Sequence, residues 1–195
     1  AGGIVDAVLA QDDAARFLQL GRMLERADMT ARLLATRDLT DGSGASWTTI
    51  LRSCGAYEAY LRAYRGMPSA RGAAEFLLLD VRLPRSIAFA LKGARDSLRA
   101  LHPGLDGRDR DTHTGVALRL LGRTAAELDY RPIDETLDEL GDRMGEVQRA
   151  IRSASEAVHR QYFPASGATM WAATPVPAVG AAAGPAADAS EEERA

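Results

Sequence analysis

Two stretches of this 195-residue chain gather side chains able to do chemistry. In GRMLERADMTARLL, residues 21–34, the carboxylates of Glu25 and Asp28 stand among the guanidinium groups of Arg22, Arg26 and Arg32. A carboxylate held in a cleft can act as a general base. The same charges also suit a salt-bridged surface, in which an Asp28–Arg32 pair at i,i+4 adds roughly 0.3–0.5 kcal/mol. The second stretch is LLLDVRLPRSIAF, residues 77–89. If Pro84 takes the first position of a helix, Arg85 and Ser86 fall in its first turn. A cation there opposes the helix dipole by about 0.3–1 kcal/mol, so Arg85 calls for a compensating anion. Glu25 or Asp28, the nearby Asp80, or a bound carboxylate or phosphate would each serve. An ion pair from Arg85 to Glu25 or Asp28 is the tie expected between the two helices.

Winding the first stretch at about 100° per residue separates two faces. Leu20, Met23, Leu24, Ala27, Ala31 and Leu34 make a broad apolar side. Asp28, Arg32 and Glu25 lie opposite beside Gly21, with Arg22 and Arg26 further round. Met29 and Leu33 among those charges predict a flank that is partly covered. A third stretch, SCGAYEAYLRAY, spaces Tyr57, Tyr60 and Tyr64 as one helical stripe, which reads as core with hydroxyls at the rim.

Other chemistries find little footing. Glu156 and His159 match one Glu-x-x-His motif, but a di-iron bundle needs two such motifs and two further glutamates, so no metal site or cofactor is expected. Cys54 sits among apolar residues and reads as an inert core thiol. No phosphate-binding glycine loop, dinucleotide fingerprint or Gly-x-Ser-x-Gly elbow is present.

The elements that must position these residues are helices. Hydrophobic residues at 46%, only 6% aromatics and abundant Ala and Leu favour helix over sheet. The predicted helices run over about 12–39, 47–65, 70–79, 84–101, 111–128 and 133–162, giving an all-α, six-helix, bundle-like single domain over residues 1–163 after a short helical remnant near 4–9. Residues 164–195 contain 12 alanines, 4 prolines and 3 glycines and read as a disordered tail, with Met170–Trp171 as its one apolar pair. That tail carries a charge of −3, the whole formal charge of the chain, so the body is neutral. A neutral body without a basic block argues against nucleic acid as partner. One cysteine fits a reducing compartment, and no apolar run is long enough to span a membrane, so a cytoplasmic protein is expected.

In their order and separation, RFLQLGRMLERADMTARLL, LRSCGAYEAYLRAYRG and AEFLLLDVRLPRSIAFAL resemble the alpha-E domain family of bacterial proteins over about residues 4–163. The resemblance implies an all-helical fold with no firmly assigned biochemical activity. It implies association with a circularly permuted ATP-grasp ligase, often with a transglutaminase-like protease and sometimes with a proteasome-like peptidase. The family's characteristic polar residues fall here on Arg22, Glu25, Arg26, Asp28, Thr30, Arg32, Asp80, Pro84, Arg85 and Ser86, with Tyr57, Glu58 and Tyr60 in the same pattern. Family members carry a related segment earlier, and this chain resembles the second half of the domain. An apolar patch favouring self-association is therefore expected where the first half would pack. The function implied is that of a non-catalytic helical partner or scaffold of an ATP-grasp ligase and protease system. The alternative is an amide-forming or amide-cleaving enzyme with Glu25 or Asp28 as base and Arg85 as anion clamp.

Overall fold

Every regular element among the described residues is helical, in keeping with the composition. The computed structural model describes residues 13–37, 46–104 and 111–163. The helices are α1 (Asp13–Ala35), α2 (Trp47–Ser53), α3 (Tyr57–Tyr64), α4 (Ala70–Leu78), α5 (Ile87–Leu101), α6 (His113–Tyr130), α7 (Ile133–Asp138) and α8 (Leu140–Tyr162). The helical remnant expected near residues 4–9 and the tail with Met170 and Trp171 lie outside the described residues.

Among the described residues eight helices replace the expected six because two long segments are interrupted. The segment 47–65 breaks where Gly55 adopts a left-handed φ of 63°, a conformation that costs glycine little. The segment 133–162 breaks at Glu139, whose φ of −122° and ψ of 31° leave the helical region. Serine and threonine side chains start four of the helices. Ser46, Ser69, Ser86 and Thr112 each accept a hydrogen bond from the backbone N–H three residues on, satisfying a donor that the first turn leaves free.

Four long helices form the body. α1 packs between α5 and α8, and α6 closes the ring by packing between the same two. Each buries an apolar stripe at helical spacing: Leu20, Met23, Leu24, Ala27, Ala31 and Leu34 on α1, and Ile87, Ala90, Leu91, Ala94 and Leu98 on α5. Met144, Val147, Ile151 and Ala154 do the same on α8. Small residues bring α1 and α5 close together. A side chain added at Gly93 of α5 would meet the Met23 sulfur at 2.8 Å. The shorter α2, α3 and α4 pack on one another, and α4 also touches α5 and α7. Among the described residues no helix is long and apolar enough to cross a membrane.

Candidate functional site

The turn between α4 and α5 is wired to itself before it touches anything else. Asp80 Oδ1 accepts from the Arg82 backbone N–H at 2.8 Å and from Arg82 Nε at 3.4 Å. The Asp80 carbonyl accepts from the Leu83 N–H at 3.2 Å, and the Leu83 carbonyl from the Ser86 N–H at 2.9 Å. Fully buried Ser86 then makes two bonds through its hydroxyl, donating to the Asp80 carbonyl and accepting from the Phe89 N–H at 3.0 Å. The helix therefore begins after Ser86, and Pro84 and Arg85 belong to the preceding turn rather than to a first helical turn. A serine cap holds the terminus through a hydrogen bond, whereas proline only tolerates that position, so the cap sets the boundary.

α1 grips this turn from the side. Arg26 donates through Nη1 to the Pro84 carbonyl at 3.1 Å, and Thr30, one turn on, donates through Oγ1 to the Arg85 carbonyl at 3.0 Å. Thr30 is buried, so its hydroxyl needs that partner. The expected ion pair from Arg85 to Glu25 or Asp28 does not form. Asp28 accepts instead from Arg32 Nε at 2.7 Å, and Glu25 is exposed. The reason is geometric and energetic. The turn presents carbonyls to α1, which calls for donors there, while an exposed Arg85 guanidinium avoids the desolvation that a buried pair would suffer.

What gathers at the junction is positive. Arg22 and Arg26 are half-buried and Arg85 is exposed. Burial lowers the pKa of the Arg26 guanidinium, and the like charges of Arg85 and Arg22 lower it further. The buried Cys54 thiol also feels Arg85, although burial, which raises its pKa, dominates. The outer line of α1 is different. Leu18, Gly21, Glu25, Met29 and Arg32 are all exposed, and Met29 keeps 53% of its surface free. The flank expected to be covered is thus covered at Asp28 and Leu33 and open at Met29.

The tyrosine stripe divides. Tyr60 is 2% exposed, stacks on Tyr64 at 4.6 Å between ring centroids and meets Phe76 edge-on at 5.6 Å. Tyr57 is half-buried under the Arg52 guanidinium, 4.8 Å above its ring, and Glu58 is exposed. Glu156 pairs with Arg160 at 3.7 Å and His159 lies against Phe163, so the Glu-x-x-His match serves neighbouring side chains. Among the described residues no group of three or more His, Cys, Asp or Glu is placed to hold a metal ion.

One concavity went unseen in the sequence. A groove of about 460 Å³ runs between α6, α7 and α8, walled by Leu120, Leu128, Val147 and Ala150 and rimmed by Arg123, Arg131, Arg143 and Arg149. Its charges are largely spoken for: Arg123 pairs with Glu127 at 2.7 Å, and Arg143 with Glu146 at 2.9 Å and with Glu139. The arginine and glutamate spacing is visible in the sequence, but only packing brings the helices together into a trough.

A four-helix body whose first long helix clamps a capped, self-bonded turn defines an all-helical domain with a basic junction. The chain belongs to the Alpha-E family, described as a predicted alpha-helical domain with a conserved ER motif, whose model matches residues 1–163. Within the matched residues Glu25–Arg26 is the one Glu-Arg dipeptide, so the motif falls on the helix that makes the clamp. Its two halves face apart: Arg26 reaches the Pro84 carbonyl, and Glu25 lies on the outer line. Comparison with curated proteins and with solved structures finds no match.

Proposed function

We propose that this domain is a non-catalytic helical partner of an ATP-grasp amide ligase, working in a peptide-modification system with a transglutaminase-like protease. The reading rests on the family resemblance, and the observation that supports it is the outward line of α1. Glu25 of the family's motif stands there between exposed Leu18 and Met29, a mixed polar and apolar surface on a rigid helix, of the kind that partners bury. The residues around the motif hold the α1–α5 junction in shape rather than lining a cleft. A catalytic role for Glu25 or Asp28 would need the carboxylate in a concave site facing Arg85. Glu25 is exposed and Asp28 is bonded to Arg32, which favours the scaffold reading.

The test is direct binding between this chain and the purified ATP-grasp ligase encoded in the same genome, measured by sedimentation velocity and calorimetry. Saturable binding that Glu25→Arg and Met29→Asp weaken by about tenfold or more, with melting temperature unchanged, supports the role. No binding, or binding indifferent to both substitutions, overturns it.

A further inference from the structure

The trough between α6, α7 and α8 is long for its volume of about 460 Å³. On α6 its lining runs from Leu120 to Arg131, about 16 Å along the helix axis, and on α8 from Arg143 to Ala150. Thr136 of α7 lines the end where the two long helices are joined. Apolar side chains recur along the length, Leu120 and Leu128 on one wall and Val147 and Ala150 on the other. A long, narrow trough with a continuous apolar wall suits an extended chain better than a compact ligand.

The spare side-chain donors on these walls are guanidinium groups. The Thr124 and Thr136 hydroxyls already donate to the Leu120 and Pro132 carbonyls, at 2.9 and 3.3 Å. The carboxylates of the lining are taken, Glu127 by Arg123 and Glu146 by Arg143. Two further glutamates answer from outside the lining, but unevenly. Glu139 adds a second carboxylate to Arg143, while Glu135 comes no nearer to Arg131 than 3.9 Å, beyond hydrogen-bond reach. Among the described residues the exposed Arg149 makes no ion pair, and the buried Arg143 Nε has no hydrogen-bond partner. Walls whose free donors are all cationic call for a ligand that brings anionic acceptors.

We propose that this trough binds an acidic peptide segment in extended form, with carboxylates on Arg131 and Arg149 and apolar side chains against Leu128 and Val147. Alternate side chains of an extended chain point to opposite sides, so acidic residues alternating with apolar ones meet the rim and the wall together. Arg131 marks the α7 end, and Arg149 lies about 9 Å along α8 from Arg143, where the α8 wall begins. Two separated cations match a chain with several carboxylates, whereas a fatty acid brings only one. Nucleic acid fits poorly, because Glu127 and Glu146 would face its phosphates. The site stands whether or not the domain binds a ligase.

Calorimetric titration of the full chain with the acetylated, amidated peptide Glu-Leu-Glu-Leu-Glu tests this, beside the neutral peptide Gln-Leu-Gln-Leu-Gln and sodium octanoate. Saturable binding of the acidic peptide is expected, weakened about fivefold or more by Arg149→Gln and by Arg131→Gln. Arg62→Gln on α3, which lines no part of the trough, should leave it unchanged. Arg149→Gln removes no ion pair, so its helical circular dichroism should match the parent; if Arg131→Gln does not fold, Arg149→Gln decides. No saturable binding of the acidic peptide, equal affinity for the neutral one, or parental affinity in Arg149→Gln overturns the proposal. Octanoate binding in place of the acidic peptide makes the trough a fatty-acid site and overturns it as well.

Discussion

Thr30 and Arg85, 55 positions apart, are joined by a 3.0 Å hydrogen bond from the threonine hydroxyl to the arginine main-chain carbonyl. This bond, with that of Arg26 to Pro84, does the work that an Arg85 ion pair was expected to do. Thr30→Val keeps the shape and strands the carbonyl, so it should lower unfolding stability by about 1–2 kcal/mol. Thr30→Ser, which keeps the hydroxyl, should recover most of that. Urea unfolding of the two variants gives the comparison, and equal stability of the valine variant and the parent would deny the bond a structural role.

Ser86 makes two bonds with one buried hydroxyl, capping α5 and closing the turn onto the Asp80 carbonyl. Ser46 and Ser69 also cap helices but are exposed. Ser86→Ala should therefore cost about 2–3 kcal/mol, against about 1 kcal/mol for Ser46→Ala or Ser69→Ala. Chemical denaturation of the three variants ranks them, and a Ser86 variant no worse than the others would contradict the double role.

Removing Arg85's charge should be harmless to the fold. Losing one partner of a buried ion pair costs about 3–5 kcal/mol. Arg85 is exposed and makes no ion pair among the described residues, so Arg85→Met should fall within about 0.5 kcal/mol of the parent. A measured loss of several kcal/mol would reveal a carboxylate partner.

Gly72 of α4 stands where a Cβ would meet the Tyr60 hydroxyl at 2.7 Å and the Ser69 hydroxyl at 3.1 Å. Helix propensity favours alanine by about 1 kcal/mol. Tyr60, however, is wedged between Tyr64 and Phe76 and has little room to retreat. Gly72→Ala should thus cost a net 1–2 kcal/mol or so. In a Tyr60→Phe background the penalty should shrink, and a double-mutant cycle without coupling would place the strain elsewhere.

Stability should decline at alkaline pH. Burial raises the Cys54 thiol above its ordinary pKa, and Arg85 lowers it less than burial raises it. The unfolded thiol loses its proton near about pH 8.5, while the folded one keeps it. Above that pH the folded state binds more protons than the unfolded state, so stability present in full below about pH 8.5 is lost as pH rises. Tyr64 and Tyr162, also raised chiefly by burial, act in the same direction at higher pH. Urea midpoints should fall between about pH 8 and pH 10, and Cys54→Ala should flatten the first part of that fall. An unchanged slope in the variant would count against Cys54 as its source.

The all-helical class and the apolar face of α1 are legible in the chain itself. They depend on contacts within three or four residues, which helical periodicity encodes directly. The Asp28–Arg32 pair belongs to the same order of things, a bond at i,i+4 on one helix. The breaks at Gly55 and Glu139 were harder to see, because helical spacing continues on both sides of each. Only the tertiary structure decided what Arg26, Thr30 and Arg85 do. Side-chain charge suggests an ion pair, but the partners of Arg26 and Thr30 are main-chain carbonyls 58 and 55 residues away. Every residue carries a carbonyl, so residue type cannot mark which ones a helix will meet. The fold makes that choice by laying the turn against α1.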